Sequence, residues 1–306
     1  MSTLFECYRD IIPDFNLFLE SLSRPMPVHL RVNSLKVEPA DLVSMLGERG
    51  VDLRPSSQLD NHLYNAASLE SPGNLPEYLL GYIHPQALTS CLASVILSPS
   101  PYGYVLDMCA SPGGKTSHLA QMMNNSGLIV ANEPDRKRHI PLAHTLARLG
   151  VANTVATSYQ AQEFPLSQRF DYVLADVPCS GEGRVRIVNN YGDTSGRPAK
   201  GTGRSMRGIQ KRLILRGCDL LKDGGEMLYS TCTYNPEENE SVVNFLLQNR
   251  DVAVLPIDPG FGYDKGLIRW RDEKYDRQLE GTARFYPHRN DSVGFFMAKI
   301  RKGRKV

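Results

Sequence analysis

The chain has 306 residues, 41% hydrophobic and 22% charged, which suits a large globular unit with a small companion and argues against disorder or low complexity. A net charge of +2 and a pI near 8.2 are too mild for a dedicated nucleic-acid-binding domain, so any basic surface must be local. No apolar run reaches the roughly 20 residues of a membrane span, and six dispersed cysteines without a Cys-x-x-Cys pair argue against a disulfide framework or structural zinc.

The opening segment is acidic and lacks a basic region followed by an apolar stretch, so no secretory leader is expected and the reading is cytoplasmic. Val28 to Leu35 alternates as a strand, Pro39 to Arg49 has helical spacing ending at Gly50, and Val51 to Arg54 reads as another strand. The break at 68–76, rich in Ser, Asn, Pro and Gly, closes this small α/β unit, giving an expected division of 1–75 and 76–306. From Ile83 the spacing of Ala87, Cys91, Val95 and Ile96 predicts a helix stopping at Pro99. Beyond it, apolar runs at Tyr104–Met108, Leu128–Ala131, Asn153–Thr157, Tyr172–Ala175, Glu226–Ser230 and Val293–Ile300 alternate with helical patterns. That is the signature of a mostly parallel sheet covered on both faces. The stretch from Asp258 to Asn290 reads as irregular.

The first central strand empties into Asp107-Met-Cys-Ala-Ser-Pro-Gly-Gly-Lys-Thr116, with a helix expected from near Ser117. Glycines let backbone approach a ligand closely, and helix N-terminal amides face it. A phosphate-binding P-loop would need glycine where Cys109 stands. Glu133 ends the next strand about twenty residues on, where a carboxylate commonly takes a ribose hydroxyl pair, while the dinucleotide glycine spacing is absent. A nucleoside-containing cofactor other than NAD fits these features.

Two near-identical dipeptides, Pro178-Cys179 and Thr231-Cys232, follow separate strand runs, at the carboxyl ends of strands, where open α/β sheets bind ligands. One thiolate can attack a substrate carbon and the second can assist its release. Between them lies a local run of cations, Arg184, Arg186, Arg197, Lys200, Arg204, Arg207, Lys211, Arg212 and Arg216, opposed by Asp193 and expected to contact phosphates; its middle, Gly192 to Gly208, is expected to be a mobile loop.

Asp107 to Lys115, Asp176-Val-Pro-Cys-Ser-Gly-Glu-Gly183, Ser230-Thr-Cys-Thr-Tyr-Asn-Pro-Glu-Glu-Asn-Glu240 and Gly294-Phe-Phe-Met-Ala298 resemble the signature blocks of the RsmB/NOP2/NSUN superfamily of RNA cytosine-C5 methyltransferases. Leu30-Arg-Val-Asn-Ser-Leu-Lys36 is similar to that family's N-terminal RNA-binding module. The resemblance implies a Rossmann-like class I methyltransferase sheet with a small RRM-like α/β unit in front. It also implies S-adenosylmethionine as cofactor and rRNA or tRNA as substrate, with no metal, no membrane and a monomeric state. Its residue roles make Cys232 the nucleophile toward cytosine C6 and Cys179 the assistant in product release, with Lys115 facing the base and Asp176 at its N3 edge. Cofactor contacts fall to Cys109, Ala110, Ser111, Pro112, Gly113, Gly114, Lys115, Glu133, Arg138, Gln160 and Asp176. The family commonly has Asp at the position of Gln160, whose amide oxygen can accept the same hydrogen bond from adenine. Two rival readings are a DNA cytosine methyltransferase, in which the Pro-Cys thiol of Cys179 attacks, and a noncatalytic RNA-binding relative. Cys109 and Cys218 are expected to pack, His84 to be a satisfied core histidine, and Glu237 to Glu240 to open a helix.

Overall fold

The computed structural model describes residues 5–57, 59–66, 69–186 and 202–303. After helix α1 (Phe15–Leu22), the small unit runs β1 (His29–Val32), α2 (Pro39–Gly47), β2 (Arg54–Pro55), β3 (Leu63–Asn65), α3 (Pro76–Leu79) and β4 (Ile83–Pro85). Its antiparallel sheet has the order β2-β3-β1-β4, the βαββαβ arrangement of an RRM-like unit. Leu30 and Val32 of β1 join Leu42, Leu46, Leu53, Tyr64 and Ile83 in its core. Strand periodicity sends His29 and Arg31 to the other face, where they too are buried, against the larger unit.

The larger unit continues with α4 (Leu88–Leu97), β5 (Tyr104–Asp107), α5 (Gly114–Met122), β6 (Leu128–Asn132), α6 (Arg136–Leu149), β7 (Thr154–Thr157), β8 (Phe170–Asp176), α7 (Thr202–Leu220) and β9 (Leu221–Thr231). It closes with α8 (Glu240–Asn249), β10 (Val252–Leu255), β11 (Asp264–Lys265), the hairpin β12 (Arg269–Trp270) and β13 (Glu273–Lys274), β14 (Ala283–Phe285), α9 (Pro287–Asn290) and β15 (Phe295–Lys302). The sheet order is β11-β14-β15-β9-β8-β5-β6-β7, with β10 also on β15. Strands β5 to β9 pair in parallel, whereas β15 lies antiparallel to β9. This is the Rossmann-like methyltransferase sheet. Successive residues alternate between its two faces: Leu106, Val173 and Met227 pack on the side of α7 and α8, and Val105, Leu174 and Leu228 on the side of α4 and α5. Each fully buried aliphatic side chain contributes roughly 1.5–3 kcal/mol.

Several expectations are corrected. Ile83–Pro85 is a strand hydrogen-bonded to β1, and the helix begins only at Leu88, because Pro85 removes a donor and His84 is needed in the small sheet. A division after residue 75 therefore cuts that sheet. Residues 5–22 pack instead on the larger unit, with Phe5 and Phe18 set edge-on to Tyr234 at 5.6 and 5.3 Å. Of the second expected strand, Val51 to Arg54, only Arg54 pairs, and the observed strand runs on to Pro55. The irregular 258–290 stretch contains β14, which extends the main sheet through β15. Residues 192–201 of the expected mobile loop lie outside the described residues, as do Arg197 and Lys200, and from Thr202 the chain is helical. Among the described residues no helix is long and apolar enough to cross a membrane.

Candidate active site

Strands β8 and β9 run parallel, with Asp176 beside Ser230, so the residues just beyond their ends must meet. Cys179 Sγ and Cys232 Sγ lie 3.3 Å apart, and the Cys232 amide also donates to Cys179 Sγ at 3.3 Å. The loop carrying Cys179 folds back: the Gly183 amide donates to the Cys232 carbonyl at 2.9 Å. Two carboxylates, Glu238 buried and Glu182 half-buried, fasten the two loops. Glu238 accepts from the Ser180 amide at 3.0 Å and from Gln210 Nε2 at 2.9 Å, while Gln210 also donates to the Pro178 carbonyl at 2.8 Å. Glu182 accepts from Thr233 at 2.7 Å and from Tyr8 at 3.0 Å, and Ser180 Oγ donates to Thr233 Oγ1 at 2.8 Å. Below this network, Arg284 and Glu240 form a buried ion pair at 2.6 Å, which positions the start of α8.

The thiols differ in charge preference. A hydrogen bond from Cys179, helped by the charges of Arg184 and Lys115, holds the Cys232 thiol below its ordinary range despite burial. Cys179 is pushed well above its own range by that hydrogen bond, by burial and by the neighbouring thiolate. Lys115 donates to Asp176 Oδ2 at 2.6 Å, and Ser230 Oγ donates to Oδ1 at 2.8 Å. Burial opposes the Lys115 charge, but Asp176 outweighs it and the ammonium is held above its ordinary range. These groups share a cavity of about 590 Å³ lined also by Met26, His84, Gln86, Arg184 and Phe295. Among the described residues no cluster of His, Cys, Asp or Glu could hold a metal ion.

The chain as a whole has counterparts among known proteins. A family model described as 16S rRNA methyltransferase RsmB/F matches residues 94–301. The chain is 40% identical over 294 residues to the 26S rRNA (cytosine-C(5))-methyltransferase nsun-1 of Caenorhabditis elegans, covering 93% of this chain and 43% of that protein. The chain belongs to the RsmB/F methyltransferase family. It is 36% identical over 295 residues to the tRNA (cytosine(49)-C(5))-methyltransferase of Pyrococcus abyssi, covering 96% of this chain and 94% of that one. A crystal structure of a methyltransferase homolog protein from Pyrococcus horikoshii superposes with a TM-score of 0.85 at 33% identity, covering 97% of this chain and 93% of that one. Against the longer curated relatives the chain spans under half of their length.

On this RsmB/F scaffold the expected cofactor residues divide. Cys109, Ala110, Ser111, Pro112, Gly114, Lys115, Arg138 and Asp176 line the cavity, and Gly113, Glu133 and Gln160 do not. Helix α5 starts at Gly114, earlier than the spacing predicts, so the Gly-Lys pair supplies its first turn. Gly113 holds φ at +102°, and a Cβ there would sit 3.2 Å from Leu142 and Thr145. Glu133 is sealed: its Oε1 accepts from the Asp135 amide at 3.0 Å and its Oε2 lies 3.2 Å from Arg138, whose guanidinium also donates to the Ser111 carbonyl at 3.0 Å. Gln160 is exposed on the turn beyond β7.

Asp107 accepts from Thr116 at 2.7 Å and burial raises its pKa to about 6, so it braces the loop from beneath. Cys218 is buried, and Cys109 is half-buried with its thiol pushed up by desolvation. His288 lies off the cavity, against Phe18 and Tyr286 at ring distances of 6.0 and 5.9 Å.

Sequence reasoning missed Glu182, Glu238 and Gln210, because a helix-opening carboxylate and a buried brace look alike in one chain. It also overstated the cationic run. Arg207 pairs with Glu273 at 3.3 Å, Lys211 stands over the Phe245 ring at 4.6 Å, and Arg186 donates to the Ser292 carbonyl at 2.8 Å. Arg184 remains exposed at the cavity.

Proposed function

We propose that this chain transfers a methyl group from S-adenosylmethionine to carbon 5 of a cytosine in rRNA or tRNA, with Cys232 as nucleophile. The observation that carries this reading is the meeting of two thiols, 3.3 Å apart, beside the Lys115–Asp176 pair in one cavity. Cytosine C5 is a poor nucleophile, so covalent addition at C6 is needed to make the ring an enamine. The Cys232 thiolate forms the C6–S bond, and the ring then carries negative charge on its N3 side. Lys115 and Asp176 hold a proton and a hydrogen-bonding edge there, the kind of help typically worth about 100- to 10,000-fold in rate. After methyl transfer and loss of the C5 proton, elimination across C5–C6 expels Cys232. Cys179, kept as a neutral thiol, donates to the departing sulfur and stabilises it as a thiolate.

The cavity suits the cofactor on its own residues. Cys109 to Pro112, Gly114 and Lys115 at the first turn of α5 line it, and Gln86 Oε1 beside them is a buried acceptor without a partner. When bound there, S-adenosylmethionine supplies the electrophilic methyl group. Arg138 and Glu133 would close its nucleoside side once their mutual contact opens. A cytosine must leave any stack to reach this cavity, so the substrate is an unpaired or flipped base.

The test is methyl transfer from labelled S-adenosylmethionine to RNA, with digestion to nucleosides. The expected product is 5-methylcytidine, formed by the native protein and lost in Cys232→Ala. Methylation at another atom, or full activity in that variant, contradicts the proposal.

A further inference from the structure

One wall of the cavity comes from the end of the small unit and takes no part in the bond-making steps above. Strand β4 ends in His84 and Pro85, and Gln86 precedes α4. The His84 ring is fixed by Arg148, whose Nη2 lies 3.0 Å from its Nδ1, while Nη1 is spent on the Tyr78 and Ile83 carbonyls at 2.6 and 3.1 Å. A guanidinium only donates, so Nδ1 is the acceptor and the proton of the neutral ring sits on Nε2. That N–H faces the cofactor loop: a Cβ on Gly114 would lie 3.1 Å from His84 Nε2 and 3.5 Å from Gln86 Oε1. Burial and the charges of Arg31 and Arg148 hold the His84 pKa well below its ordinary value, so the ring stays neutral. Gln86 Oε1 is buried with no hydrogen-bond partner, although its Nε2 reaches Ser90 Oγ at 3.4 Å.

The wall thus offers an N–H donor and a carbonyl acceptor side by side, next to the first-turn amides of α5. An α-amino acid zwitterion complements this set, because its carboxylate accepts only and its ammonium donates only. The cations beside His84 add a positive field that favours the carboxylate.

We propose that His84 and Gln86 form the subsite for the amino-acid end of the cofactor, with His84 Nε2–H donating to the α-carboxylate and Gln86 Oε1 accepting from the α-ammonium. The inference rests on the S-adenosylmethionine reading. It makes the small unit a part of the cofactor site.

Calorimetric binding without RNA tests it with S-adenosylhomocysteine, its decarboxylated analogue and 5′-methylthioadenosine, which lacks the amino-acid end. His84→Ala weakens S-adenosylhomocysteine by about tenfold or more, the usual scale for a lost hydrogen bond to a charged group, and changes the other two ligands by less than about twofold. His84→Gln, which keeps an N–H donor, recovers part of the loss. Gln86→Ala weakens both ammonium-bearing ligands and spares 5′-methylthioadenosine.

Equal losses for all three ligands would mean a collapsed wall and would overturn the subsite. So would unchanged S-adenosylhomocysteine affinity in His84→Ala, including the case where only affinity for RNA falls, which assigns the wall to the base. If the native protein binds none of the three, the cofactor reading itself fails, and the subsite with it.

Discussion

The loop after β8 and the loop after β9 carry the same feature, a cysteine just past a buried parallel strand, and the structure makes them unlike. Cys232 follows directly on its strand, and its thiol is held down by the hydrogen bond from Cys179 and by the charges of Arg184 and Lys115. Cys179 sits in a loop that folds back under Glu238, Gln210 and Gly183, and its thiol is held up. Sequence context is almost the same, and the hydrogen bond between the thiols, with Arg184 and Lys115 favouring the Cys232 thiolate, gives them the opposite charge preferences that the proposed roles of nucleophile and proton donor require. The rival DNA-type assignment, with Cys179 attacking, requires the opposite order of ionisation of the two thiols.

The comparison breaks most visibly at Lys115, one of the two cations that favour the Cys232 thiolate. Lys115→Met removes a charge from the thiolate and a proton from the base edge, and single-turnover methyl transfer is expected to fall by about 100- to 10,000-fold. A loss under about tenfold would mean that Lys115 serves only to anchor Asp176. A smaller effect sharpens the same contrast. In iodoacetamide labelling of the RNA-free protein, followed by peptide mass analysis, Cys232 reacts first as pH rises. Its half-maximal rate is reached at a lower pH than for Cys179, because a lowered pKa puts the reactive thiolate in place earlier. Cys179 lags to higher pH, its raised pKa keeping it protonated. Equal labelling profiles would remove the asymmetry.

Much of this was legible in the chain because the informative elements are buried on both faces. Runs such as Tyr172 to Ala175 have no other stable home than the middle of a parallel sheet, and glycines at 113 and 114 mark backbone that must come close to something. The cysteine dipeptides were legible for the same reason, since strand ends fix where the next residues point. What stayed hidden depends on long-range partners. Ile83-His-Pro85 is too short and mixed to be told from a helix start, and only its pairing with β1 makes it a strand that carries His84 to the cavity.

Arg31 sits in a segment expected to bind RNA, yet it is fully buried and donates to Ser117 Oγ at 2.7 Å on α5. Asn33 and Lys36 likewise bond carbonyls near the end of α6, at Leu149 and Arg148. Their charge and polarity were visible; their direction was not. Glu238 failed for the converse reason, since its local pattern already had an adequate explanation as a helix opening.

The direct measurement of the account is covalent trapping. RNA bearing an unpaired cytosine is incubated with S-adenosylmethionine and with native protein, Cys179→Ala, Cys232→Ala or the double variant, and resolved under denaturing conditions. Cys179→Ala is expected to accumulate a protein–RNA adduct several-fold above native protein, while Cys232→Ala and the double variant form none. An adduct that persists in Cys232→Ala and disappears in Cys179→Ala would reverse the roles of the two loops and contradict the account.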